Sequence, residues 1–152
     1  GFVSYTLGAD GHGAELLEQP AGGTRCPATP ETLQQNLQYL QMDGRSVFKW
    51  AIRTLSDSVN QVLKAANLSA TDIDLTLFHQ ANIRIIDAAA SDLGLNSGQV
   101  FVNLDKYGNT SAASIPLALA EAQQEGRIQP GKNILISGFG AGLAWGAGVW
   151  RW

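Results

Sequence analysis

Apolar residues recur along this chain at two periods, one close to two and one close to three and a half. Residues 1–7 alternate loosely through Phe2, Val3, Tyr5 and Leu7, which suits a strand. Residues 8–30 are rich in Gly, Pro and Ala and read as a long loop broken at Gly22, Gly23 and Pro27. Residues 31–42 place Leu33, Leu37 and Leu40 at helical spacing in a Gln-rich context that satisfies no single template. From Asp43 the signal is clear. Val47, Phe48, Ala51, Ile52, Leu55, Val59, Val62, Leu63 and Ala66 recur at intervals of three and four and predict an amphipathic helix over 44–66. Asp43 suits its N-cap and Asn67 its end. SATD at 69–72 resembles a capping box for a short turn.

A four-residue apolar run, Leu75–Phe78, reads as a buried strand. The spacing then predicts a helix over 82–93 that buries Ile83, Ile86, Ala90 and Leu93 and stops at Gly94. A strand is expected over 100–104, a helix over 114–125 closed by Gly126, and strands over 133–137 and 146–152. Pro130 and Gly131 mark a turn. This order predicts an α/β layered sheet, parallel for most strands, with the last two antiparallel.

Composition narrows the class. With 152 residues, 45% hydrophobic and 15% charged, the chain suits one domain with a sizeable core. No run approaches the roughly 18 apolar residues of a membrane span. A formal charge of −3 gives no global pull toward nucleic acid or an anionic membrane. A single cysteine, Cys26, excludes an internal disulfide framework and a cysteine-rich zinc site, and a reducing cytoplasm is the expected location. No charged-then-apolar leader stands at the start. The chain begins at Gly1 and runs straight into strand-like sequence, and the expectation is a start inside a larger fold.

Three polar clusters fall at strand ends: His79 with Asn82, Asn109 with Thr110 and Ser111, and the glycine run 138–142. In open α/β sheets ligands gather beyond the carboxyl ends of strands. A strand-end histidine before a polar helix start fits either a structural or a catalytic residue. Together the clusters offer an imidazole, a carboxamide and backbone amides, the parts needed to hold a developing oxyanion or enolate. The glycine run is no dinucleotide fingerprint, because Leu143 stands at the third glycine position and a strand follows. No G-x-S-x-G elbow is present for a Ser-His-Asp hydrolase. His12 and His79, far apart, give no metal-ligand spacing, so no metal is expected. His12 reads as a surface loop residue. Cys26, followed by Pro27, reads as an incidental thiol.

HQANIRIID at 79–87, YGNTSAASIPLAL at 107–119 and GFGAGLAWGAG at 138–148 resemble the carboxyl-terminal half of the β-ketoacyl-acyl-carrier-protein synthase III family. PAGGTR at 20–25 and YLQMDGRSVFKWA at 39–51 fit as well. The resemblance implies a thiolase-like α/β fold, one half of a duplicated βαβαβαββ architecture with a layered mixed sheet. Residues 1–10 would then hold a strand of the absent amino-terminal half's sheet, residues 11–43 a loop-rich segment, and residues 44–152 the carboxyl-terminal thiolase-like domain.

The same resemblance implies a Cys-His-Asn catalytic set with His79 and Asn109 as two of its members. Both would donate to the thioester oxygen of a malonyl group as carbon dioxide leaves. Phe139 would sit beside the malonyl site and the Ala141 amide in the oxyanion hole. Gly44, Phe48, Asn82 and Arg84 would line the pantetheine channel or its mouth, and Lys49 and Arg84 would face an acidic acyl carrier protein. Ser91 and Asp92 stand where a lysine pair is common in the family. The implied substrates are an acyl-CoA primer and malonyl-acyl-carrier protein, with no resident cofactor. The nucleophilic Cys belongs to the other half, so this chain alone is expected to be inactive in condensation and prone to self-association. The intact enzyme is expected to be a homodimer. The alternative is a non-catalytic half that binds CoA or carrier protein and works only with another polypeptide.

Overall fold

The computed structural model describes residues 1–152. A four-stranded mixed sheet lies between two helical layers. Its strands are β1 (Phe2–Ala9), β4 (Leu75–Phe78), β5 (Asn133–Gly140) and β6 (Ala144–Arg151), in the order β1-β6-β5-β4. On one face lie α2 (Gly44–Ala66) and α3 (Ile83–Asp92), and on the other α5 (Ser114–Gln124). Smaller elements complete the chain: β2 (Leu17–Glu18) paired with β3 (Gln41–Met42), and the short helices α1 (Pro30–Gln34) and α4 (Leu104–Tyr107).

Burial on both faces explains the apolar run of β4, whose four residues are all buried. Phe78 joins the core beneath α2 and α3, with Leu55, Val59, Ile86 and Leu135. Leu75 and Leu77 join the second core, with Phe101, Ala118, Ala122 and Ile134. The predicted long helix forms as α2. Asp43 accepts from the Ser46 amide at 3.0 Å, and Asn67 ends the helix in the left-handed region at φ 54°.

Four expectations are corrected. First, residues 2–9 are not strange to this chain's sheet. β1 pairs antiparallel with β6 from Phe2 opposite Trp150 to Ala9 opposite Ala144. The glycines of β6 make the room: a Cβ at Gly146 would stand 2.8 Å from Leu7 Cδ2, and one at Gly148 3.1 Å from Phe2 Cε1. Second, the sheet is not mostly parallel, since only β4 and β5 form a parallel pair and β5–β6 and β6–β1 are antiparallel.

Third, residues 100–104 form one parallel bridge, Val100 to Thr76, in place of a strand. The buried Gln80 side chain takes over the backbone groups that a longer ladder would use. Its Nε2 donates to the Phe78 and Phe101 carbonyls at 2.9 and 3.4 Å, and its Oε1 accepts from the Asn103 amide at 3.2 Å. Fourth, α3 buries Ile85, Ile86, Ala89 and Leu93, and Ile83 is exposed. Asn82 caps this helix through the Arg84 amide at 2.9 Å, which leaves Ile83 as the first helical residue at the solvent edge.

Candidate active site

The three polar clusters converge on one cleft of about 660 Å³. His79 arrives from the carboxyl end of β4, and its amide donates to the Ser137 carbonyl at 2.9 Å, which ties it to β5. Asn109 comes from the loop between α4 and α5. Phe139 is in β5, and Ala141 is the first residue beyond it, past the β5–β6 pairing. All four line the cleft, as do Gly44, Phe48 and Asn82. Gly138 is closely packed here, since a Cβ would meet Ile115 Cδ1 at 3.3 Å and His79 Cβ at 3.5 Å.

The geometry defines donors. Asn109 Oδ1 accepts from the Ser111 amide at 3.0 Å, an Asx turn that leaves the Nδ2 donor free of a partner in the protein. Ser111 adopts φ 52° and Gly108 φ 67° to shape this loop. The half-buried His79 ring touches Phe139 edge-on, with centroids 5.5 Å apart and planes at 72°. Phe139 in turn packs edge-on against Trp50 at 5.6 Å. Burial pushes the His79 pKa below its ordinary 6.5, which favours the neutral imidazole. A neutral imidazole and a carboxamide on one wall, beside an apolar ring, can hold an oxygen that gains negative charge.

Lys49 and Arg84 lie elsewhere. Lys49 lines a shallow groove between α2 and α3 with Arg53, Asp57, Ser91 and Asp92. Arg84 is exposed in the first turn of α3. Cys26 is not among the cleft residues.

Sequence reading missed several cleft residues. Leu17 and Met42, facing partners in the β2–β3 pair, and Leu40 just before it form an apolar wall ahead of α2. Leu40 carried a helical spacing that matched no template, and Leu17 and Met42 carried no periodic signal. Ser114 is buried, and its Oγ lies 2.7 Å from His79 Nδ1. Only its place in the small-residue run after Asn109 hinted at a role.

This layered sheet with its strand-end cleft is the thiolase-like α/β fold. Residues 63–152 match the family described as 3-oxoacyl-[acyl-carrier-protein (ACP)] synthase III C terminal, and the chain belongs to that family. The β-ketoacyl-[acyl-carrier-protein] synthase III of Rhodopirellula baltica is 55% identical over 152 residues, which are 100% of this chain and 44% of the relative. That of Symbiobacterium thermophilum is 53% identical over 100% of this chain and 46% of its own length. The crystal structure of the Thermus thermophilus enzyme superposes with a TM-score of 0.87 at 46% identity, over 100% of this chain and 46% of that one. The chain thus spans less than half the length of the relatives it matches.

Proposed function

We propose that this chain supplies the decarboxylating side of a β-ketoacyl-acyl-carrier-protein synthase III active site. The observation that supports the reading is that His79, whose burial favours the neutral imidazole, and Asn109, whose Oδ1 is taken by the Ser111 amide, line one apolar-walled cleft. Both donate to the thioester oxygen of a malonyl group carried on acyl carrier protein. As the bond between the methylene carbon and the carboxylate breaks, its electron pair moves into the thioester enolate, and the two donors stabilise the charge on oxygen. The carbanion then attacks the acyl group of a Cys thioester, and the Cys thiolate leaves. Phe139 keeps water from the carbanion, and the Ala141 amide, outside the strand pairing, donates to the tetrahedral oxyanion.

The nucleophilic Cys comes from the remainder of the enzyme, so the isolated chain does not condense. Exposed Phe2, Tyr5 and Leu7 on β1 support a further polypeptide surface there. Gly44, Phe48 and Asn82 on the cleft wall would guide pantetheine, with Lys49 and Arg84 on the approach for acyl carrier protein. The working enzyme is read as a homodimer of the cytoplasm, needing no metal or resident cofactor. In the structure no helix is long and apolar enough to cross a membrane.

The test uses the full-length enzyme. His79→Ala and Asn109→Ala are expected to lose malonyl-acyl-carrier-protein decarboxylation by about 10²-fold or more each, the scale of removing an oxyanion donor. Acylation of the Cys by acetyl-CoA should survive in both. Full decarboxylation in either variant would overturn the reading and favour a half that only binds CoA or carrier protein.

A further inference from the structure

We propose that Ser114 is a positioning residue that fixes the tautomer of His79, so that the imidazole presents an Nε2 proton to the cleft. The inference rests on the reading of His79 as a donor, and it names what makes His79 one.

The argument is an accounting of protons around a buried hydroxyl. Ser114 is 2% exposed. Its Oγ has two partners, the Gln80 amide at 3.2 Å and His79 Nδ1 at 2.7 Å. An amide N–H can only donate, so Oγ is the acceptor from Gln80. The hydroxyl's own proton then has one destination within reach, the lone pair of His79 Nδ1. The reverse arrangement, with a proton on Nδ1, would make Oγ accept twice and leave the hydroxyl proton buried without an acceptor, which is unfavourable.

A relay therefore runs from the Gln80 amide through the Ser114 hydroxyl to His79 Nδ1. With Nδ1 accepting, the neutral ring carries its proton on Nε2, which has no hydrogen-bond partner within the protein. Both ends of the relay are held firmly. Gln80 is anchored through its own side chain to the Phe78 carbonyl and the Asn103 amide, and Ser114 opens α5. Asn109 is oriented by a local turn and His79 by this relay, so each donor of the pair has its own device. Ser114 is not a catalytic residue: it acts only through His79.

The experiment is ¹⁵N spectroscopy of the imidazole nitrogens in the full-length enzyme at a pH where histidine is neutral. The His79 signals are identified by their loss in His79→Asn. The expected spectrum has Nδ1 in the unprotonated range and Nε2 in the protonated range. Ser114→Ala should draw the two shifts toward each other, and Ser114→Thr, which keeps a hydroxyl, should restore the separation. Decarboxylation kcat should fall roughly three- to tenfold in Ser114→Ala, the weight of one neutral hydrogen bond, with KM little changed. A wild-type spectrum with the proton on Nδ1 would overturn the proposal, and so would unchanged shifts in Ser114→Ala. Should that variant not fold, Ser114→Gly takes its place with the same expected and overturning shifts. The spectrum also separates this proposal from the decarboxylation reading, which can fail in the His79→Ala assay while the tautomer stands.

Discussion

Asn103 Nδ2 donates to Glu121 Oε2 at 2.8 Å, and this bond ties the N-cap of α4, the short helix that leads into the Asn109 loop, to the helix that carries Ser114. Lys106 adds a second tie to the other oxygen of Glu121, at 2.6 Å. Both ties run from the α4 segment to one carboxylate of α5.

Breaking that tie should loosen the loop between α4 and α5. Glu121→Ala leaves the buried Asn103 amide without its acceptor, and a lower Tm is expected. Glu121→Gln keeps an acceptor for Asn103 and should lose less. The Lys106 hydrogen bond, then that of Asn103, holds the Glu121 carboxyl below its ordinary 4.5. This contribution is present above the unfolded value and is lost as pH falls through the lower folded one. The acid limb of a stability-against-pH curve should flatten in Glu121→Gln, and an unchanged limb would refute the assignment.

His79 sets a second pH dependence. Burial lowers its folded pKa from 6.5, so the unfolded chain takes up a proton first as pH falls. Stability is therefore full above about 6.5 and declines below it as pH approaches the folded value. Denaturant titrations of wild type and His79→Gln across this range should diverge on the acid side only. A normal imidazole pKa for His79 by NMR would contradict the expectation.

Gln80→Leu should be among the more damaging single changes in the chain. The side chain is 1% exposed and satisfies backbone groups of three residues, Phe78, Phe101 and Asn103. Its removal orphans buried groups at about 1–3 kcal/mol each, and roughly 2–4 kcal/mol in total is expected by urea denaturation. Amides of residues 101–103 should exchange faster with solvent in the variant. A loss below about 1 kcal/mol would mean that solvent reaches those groups.

The proposed docking of acyl carrier protein can be tested at Arg84. Lys49 and Arg84 lie outside the cleft, and Lys49 shares its groove with Asp57 and Asp92. In the full-length enzyme, charge reversal at Arg84 should lower kcat/KM for malonyl-acyl-carrier protein by roughly tenfold at low salt, because steering acts on the association rate. The loss should shrink as salt rises, and acylation by acetyl-CoA should not change. An equal loss with both substrates would place Arg84 in the channel instead.

Much of this architecture was legible in the sequence where local rules govern. The cap at Asp43, the left-handed end at Asn67 and the buried run of β4 follow from residues a few positions apart. The cleft was legible as three polar clusters, two of them at strand ends and that of Asn109 in a loop between helices, and the motif resemblance led to the family that residues 63–152 match. Three of the corrections come from pairing between distant residues, while the exposure of Ile83 follows from the local cap at Asn82. The partner of β1 is β6, nearly 150 residues along the chain, and the expected strand over 100–104 gives way to the side chain of Gln80.

The sequence by itself thus determined the long helix, most of the strands, the family and the polar clusters that meet at the cleft, because periodicity, caps and motifs are short-range properties. Tertiary structure alone decided which hydroxyl faces His79 Nδ1, which carboxylate holds Asn103, and which side chains wall the cleft. Hydrogen-bond partners 18 to 35 residues apart are chosen by how layers pack, and no local spacing encodes that choice.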